Sequence, residues 1–203
     1  PDLRGHGSSP AGDLLSLDAY RDDVLLLGNG WDLLLGHSLG GAIAAAAIEA
    51  HPGFASQVVY EDPAADWELA ADFITESPQP IGMATTADIA AEHPAWHAND
   101  VKQKVEALNS CRPDVEDRTI ADFDPGDVWS VMLAAHAPSL VIAADPDVVS
   151  LVSRQREAEA AGSPLRVVRV AGAGHSVHRD APEEFIELVC DFVAAQRGGQ
   201  AAG

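Results

Sequence analysis

Apolar and polar positions along the chain alternate between two periods, and turn residues punctuate them. Leu17, Tyr20, Val24 and Leu27 recur at helical spacing, which predicts a helix over 17–27 that Gly28 and Gly30 break. Residues 31–35 form a short apolar run closed by Gly36, the pattern of a buried strand. Residues 40–50 are alanine-rich with no breaker after Gly41, which predicts a helix stopped by Pro52 and Gly53. Residues 57–60 read as the next strand, closed by Glu61, Asp62 and Pro63. Strand, sharp turn, helix, strand is a βαβ unit, so the sheet is expected to be parallel.

The pattern changes over 64–136. This stretch is polar and helical in period, is cut by Pro78, Pro80, Pro94, Pro113 and Pro125, and holds three of the four tryptophans. It reads as a helical insertion into an α/β core made of 1–63 and 137–203. Apolar and β-branched runs return at 139–144 and 165–170 as strands, with a helix expected over 148–161 between them. A glycine turn follows at 172–175, then an amphipathic helix at 182–195 and a tail from Gly198 to Gly203 that should fray. The fold class is therefore α/β, a mostly parallel sheet flanked by helices. No internal repeat is visible.

Length and composition bound the function. The 203 residues suit one domain with an inserted segment, and 47 % hydrophobic residues can bury a core. Twelve Lys and Arg face 32 Asp and Glu, a formal net charge of −20. Nucleic acid and anionic membranes need a basic face, so neither is an expected partner. Cys111 and Cys190 have no neighbour at metal or redox spacing, and both are expected to be buried free thiols, Cys190 within an apolar stretch at 185–193. The longest apolar run, 42–48, is too short to span a bilayer and no signal peptide is visible, so the expected location is cytoplasmic. The chain opens at Pro1, without Met and inside a loop, so further chain is expected upstream.

The candidate chemistry centres on Gly36-His37-Ser38-Leu39-Gly40. A serine between a strand and a helix, with glycines two residues to either side, sits in a tight turn that lifts its Oγ out of the sheet. The turn also puts the Leu39 N–H at a helix N-terminus, where it can hold an oxyanion. A serine needs a base near neutral pH. His175, straight after Ala171-Gly172-Ala173-Gly174, is the first candidate and His178 the rival. His6, His51, His93, His97 and His136 lie in turns or the insertion. His93 and His97 lack a third ligand and flank Pro94, so no metal is expected. The acid that orients the base is assigned to Asp145, at the end of the 139–144 strand, with Asp147 and Asp62 as rivals. Asp62-Pro63 and Asp145-Pro146 are also ordinary turn initiators. His37, Trp67, Phe73, Trp96 and Trp129 are candidates to line a pocket, with packing as the equally fitting reading.

These residues together resemble the α/β-hydrolase superfamily. Asp2-Leu3-Arg4-Gly5-His6-Gly7-Ser8-Ser9 looks like the loop after that fold's fourth strand, and 36–41 like its nucleophile elbow. Residues 138–145 look like its seventh strand and acid loop, although Ala143-Ala144 replaces the glycine often found there. Residues 172–175 look like its histidine turn. The resemblance covers nearly the whole chain. It implies a Ser38, Asp145, His175 triad, a helical cap over 64–136, no cofactor, and esterase-like or carbon–carbon-bond hydrolase chemistry on a small or medium acyl substrate. Serine at 38 disfavours the dehalogenase and epoxide-hydrolase branches, which carry Asp there. It also implies upstream strands and a loop that gives the second oxyanion donor. Without them the 31–35 strand presents a bare apolar edge. The other reading is a non-catalytic, truncated binding module.

Overall fold

The sheet has four short strands, β1 (Leu34–His37), β2 (Val58–Glu61), β3 (Ser139–Ala143) and β4 (Arg166–Arg169). They lie side by side in chain order and every pairing is parallel. These are features of a computed structural model that describes residues 1–76, 80–123 and 126–200, the last four for their backbone only. Pro78, Pro125 and the end of the expected tail (201–203) lie outside the described residues.

Helices α1 (Leu17–Leu25) and α2 (Leu39–Ala50) cover one face of the sheet. Between β2 and β3 run α3 (Trp67–Glu76), α4 (Thr86–Glu92), α5 (Ala98–Asn109), α6 (Val115–Asp122) and α7 (Val128–Ala134). After β3 come α8 (Arg154–Ala160), α9 (Val177–Asp180) and α10 (Pro182–Gln200). Side-chain alternation splits the interior into two cores. Val58, Tyr60, Val141 and Ala143 pack with Tyr20, Ile43 and Trp129 on the α1–α2–α7 side. Val59, Leu140 and Ile142 pack with Val177, Phe185 and Phe192 on the α10 side. Both faces are covered, which is why β2 and β3 read as unbroken apolar runs. Helix α2 is buried almost all round, and its alanines let it approach sheet and helices closely.

The inserted helices divide. α4 and α5 close around their own cluster of Ala84, Ile89, Trp96, Val101 and Leu108. Val115, Val128, Trp129 and Met132, from α6 and α7, belong to the main core instead.

Several boundaries differ from expectation. Regular pairing starts at Leu34, and Trp31 makes only an isolated bridge to Ala55. The strand then runs through Gly36 and His37, so the serine turn begins where β1 ends. The 148–161 helix shrinks to α8, which starts at the Ser153 cap. Residues 145–152 instead fold back toward the end of β2, held by Arg169, whose guanidinium donates to Ala144 O and Val152 O (3.0 Å for the latter). α10 runs past Gly198 to Gln200 rather than fraying. It buries Phe185 and Phe192 and turns Cys190 outward, so Cys190 is exposed, contrary to expectation, and Cys111 is half-buried. Among the described residues β1 is an edge strand, whereas its apolar pattern read as a buried one. Trp31 and Leu35 are 47 % and 42 % exposed there, beside a groove of about 390 Å³.

Candidate active site

The parallel register lines up the carboxyl ends of the strands, with His37 opposite Glu61 and Glu61 opposite Ile142. Whatever follows these residues emerges along one edge, and Ser38 and Asp62 are the next residues of their strands. Ser38 has φ 56° and ψ −121°, a strained conformation for a residue with a side chain. Its N–H donates to Glu61 O at 3.0 Å, and its carbonyl accepts from Gly41 N and Ala64 N, both at 2.9 Å. Asp62, at φ 34°, is the other non-glycine residue with positive φ among the described residues. Backbone strain is therefore confined to two neighbouring strand ends.

Of the glycines of the turn, Gly36 answers the expected steric need and Gly40 does not. A Cβ on Gly36 would overlap the Gly40 carbonyl, so that position must be glycine. A Cβ on Gly41 would lie 2.6 Å from Pro63 Cβ, so Gly41 lets α2 pack against the turn that carries Asp62. A Cβ on Gly40 would meet nothing within 4 Å, and the expected steric need there is absent. Leu39 opens α2, and its N–H donates to no backbone acceptor among the described residues. It stands at the positive end of a twelve-residue helix.

His175 lies on the turn between β4 and α9. Its Nδ1–H donates to Asp62 Oδ2 at 2.7 Å, which leaves Nε2 as the ring's basic atom. Asp62 is fully buried and also accepts from Ala144 N (3.1 Å), Ser150 Oγ (2.6 Å) and Leu151 N (2.9 Å). Burial pushes its pKa up, but the hydrogen bonds from His175, Ser150 and Leu151 outweigh burial and hold it below the ordinary aspartate value. No hydrogen bond joins Ser38 Oγ to the His175 ring among the described residues. Nucleophile–base contacts commonly tighten only around substrate.

Asp145, the acid expected from sequence, does not meet His175. It is partly exposed and accepts from Asp147 N (3.0 Å) in its own turn and from Gly172 N (2.8 Å) in the turn before His175, so it ties two backbone turns together and leaves the ring to another acid. Asp147 points outward to Arg154 at 3.3 Å. The reason is the loop that the helical reading of 148–161 hid. It carries Ser150 and Leu151 onto Asp62, and not Asp145 onto the histidine.

His178 sits on a second carboxylate. Its N–H and Nδ1–H donate to Glu61 Oε1 at 2.9 and 2.7 Å. Glu61 is 1 % exposed and was not singled out from sequence; two adjacent acids closing an apolar strand were the available signal. His37 fits between the two histidines, its ring centroid 4.6 Å from that of His175 and 5.5 Å from that of His178. Its Nε2–H donates to His175 O at 2.8 Å. Burial, then the neighbouring His175, push its pKa down to about 4, so it is neutral. Among the candidate pocket residues, Phe73 of α3 reaches the site, 5.0 Å from the His175 ring. Trp96 bonds Asp180 Oδ1 at 2.6 Å, and Asp180 in turn accepts from Gly174 N at 2.8 Å. Trp67 packs on Phe123, and Trp129 is wholly in the main core, so neither touches the histidine. Among the described residues no group of three metal-ligating side chains occurs, and no helix is long and apolar enough to cross a membrane.

Comparison with known proteins gives the following. A family model described as the alpha/beta hydrolase family matches residues 1–188. No protein with a curated description matches the chain by sequence. Among solved structures, E-2-(acetamidomethylene)succinate hydrolase is similar with a TM-score of 0.75 and 23 % identity, covering 95 % of this chain and 80 % of that one. The esterase RhEst1 from Rhodococcus sp. ECU1013 is similar at 0.67 and 21 %, covering 95 % and 78 %. A Bacillus megaterium epoxide hydrolase is similar at 0.71 and 12 %, covering 95 % and 82 %. Likenesses at these identities speak to the fold, and the chemistry must be argued from the residues.

Proposed function

Because the chain belongs to the alpha/beta hydrolase family, we propose that it is a serine hydrolase with Ser38 as nucleophile, His175 as base and Asp62 as the acid that orients the base. Ser38 Oγ attacks an acyl carbonyl while His175 Nε2 takes its proton. Asp62 holds Nδ1–H and offsets the charge of the imidazolium that forms. The Leu39 N–H, at the start of α2, stabilises the oxyanion. His175 then gives the proton to the leaving group, and water, activated by the same ring, hydrolyses the acyl-enzyme. The substrate class is a small or medium acyl compound of ester type, and helices α3, α4 and α5 act as the cap, with Phe73 against the base.

The observation that carries this reading is the 2.7 Å bond from His175 to a buried, four-fold bonded carboxylate beside the strained Ser38. The test is hydrolysis of p-nitrophenyl acetate and butyrate, together with labelling by a fluorophosphonate probe. Turnover and labelling lost in Ser38→Ala support the reading. Turnover that persists in Ser38→Ala refutes it. A folded chain that neither turns over nor labels supports the binding-module reading.

A further inference from the structure

Two adjacent carboxylates at the end of β2 grip two histidines three residues apart on one turn. Asp62 takes the ring of His175, and Glu61 takes both the backbone N–H and the ring of His178. Glu61 is almost wholly buried, whereas the His178 side chain is about a third exposed, at 32 %. A half-exposed histidine on a surface turn finds water for its donors without help. Burying a carboxylate is costly unless it is well paired. The pairing is therefore not needed to satisfy His178, and its cost calls for another explanation.

The surroundings supply one. The turn that carries the two histidines is tied at its start. His37 Nε2–H fixes the carbonyl of His175 at 2.8 Å, and Asp180 fixes the N–H of Gly174, just before it, at 2.8 Å. Glu61 supplies the anchor on the far side, at residue 178. Because Glu61 and Asp62 are consecutive on a buried strand, any shift of β2 moves both anchors together, and the His175 ring keeps its place relative to its own backbone. Glu61 O also accepts the Ser38 N–H at 3.0 Å, so the residue that anchors the histidine turn also anchors the nucleophile.

We propose that Glu61 and His178 form a second acid–histidine pair that positions the base, holding the 175–178 turn so that His175 Nε2 stays aimed at Ser38. This rests on the triad reading above. The pair touches neither substrate nor reacting atoms, so both are positioning residues, and the effect falls on the chemical step rather than on binding. A displacement of about 1 Å in a reacting group can cost on the order of 10²-fold in rate.

The experiment is inactivation of the full chain by a fluorophosphonate probe, with kinact and KI measured separately and thermal melts run in parallel. His178→Leu removes the ring donor and is expected to lower kinact by about 10–100-fold with KI unchanged. His178→Asn places an amide N–H where Nδ1–H stands and is expected to restore kinact to within about threefold of wild type. Glu61→Gln keeps an acceptor oxygen and is expected to fall between them, with Glu61→Ala the lowest. A purely structural role would lower the melting temperature of the Leu and Ala variants without changing kinact per folded molecule. Equal kinact for folded wild type, His178→Leu and His178→Asn overturns the inference and leaves the triad standing. A wild type that is never labelled at Ser38 overturns the triad reading and this inference with it.

Discussion

Replacing Asp62 by Asn tests the site more sharply than any other change, because the structure leaves the amide no comfortable orientation. Oδ2 faces two donors, His175 Nδ1–H and Leu151 N–H, and Oδ1 faces Ala144 N–H and the Ser150 hydroxyl. If the new NH2 takes the Oδ2 place, Leu151 N–H loses its acceptor. The His175 ring must then accept through Nδ1 and carry its proton on Nε2, where it can no longer act as a base. If the NH2 takes the Oδ1 place, Ala144 N–H is orphaned in the interior while Nδ1 keeps a weaker, uncharged acceptor. Either way one buried N–H goes unsatisfied, at about 1–3 kcal/mol. For a domain of this length that is a melting temperature lower by about 2–12 °C. The first orientation, through its wrong tautomer, adds a loss of about 10⁴-fold in kcat, seen with p-nitrophenyl butyrate or in the rate of fluorophosphonate labelling. Asp145→Asn serves as the control. It leaves the partner of the His175 ring in place and weakens only partly exposed bonds to Asp147 N and Gly172 N, so activity should stay within about threefold of wild type. Asp62→Asn that keeps a third of wild-type activity, or Asp145→Asn that loses most of it, would refute the assignment of the acid.

The same geometry sets the outcome of changes at the glycines, at His37 and at the edge of β1. Gly40→Ala should be tolerated and raise stability by up to about 1 kcal/mol in urea melts, because its Cβ meets open space. Gly41→Ala should instead cost about 1–3 kcal/mol, and activity with it, because its Cβ presses on Pro63 next to Asp62. His37 is neutral with its pKa pushed down to about 4, so the unfolded chain takes up its proton first. Stability should therefore fall by one proton's worth of slope as pH drops from the ordinary histidine range toward 4, and His37→Gln should remove that slope. The contribution of Asp62, whose folded pKa is depressed, is complete above the ordinary aspartate range and is lost only at lower pH. Finally, Leu35→Lys on the exposed edge of β1 should reduce concentration-dependent light scattering while leaving the melting temperature within about 2 °C.

The sequence by itself determined the features that depend on near neighbours. Alternating and helical periods, with glycine and proline as stops, specify the order of β1, α2, β2, β3, β4 and α10, since each element is a local response of the backbone to its own side chains. The serine turn was legible for the same reason, because Gly36 and Ser38 are constrained by residues within five positions of them. His175 followed from the glycine turn that carries it. Only the tertiary structure decided which aspartate meets that histidine. Asp62 and Asp145 each end a buried strand and each precede a proline, so no local pattern separates them. What separates them is the φ of 34° that turns Asp62 inward and the 145–152 loop that folds over it, with Ser150 and Leu151 donating across more than eighty residues of chain. The place of Trp129 in the main core and the Glu61–His178 pair were hidden for the same physical reason. Each is set by contacts between segments distant in sequence, and those exist only once the parallel register has brought the strand ends side by side.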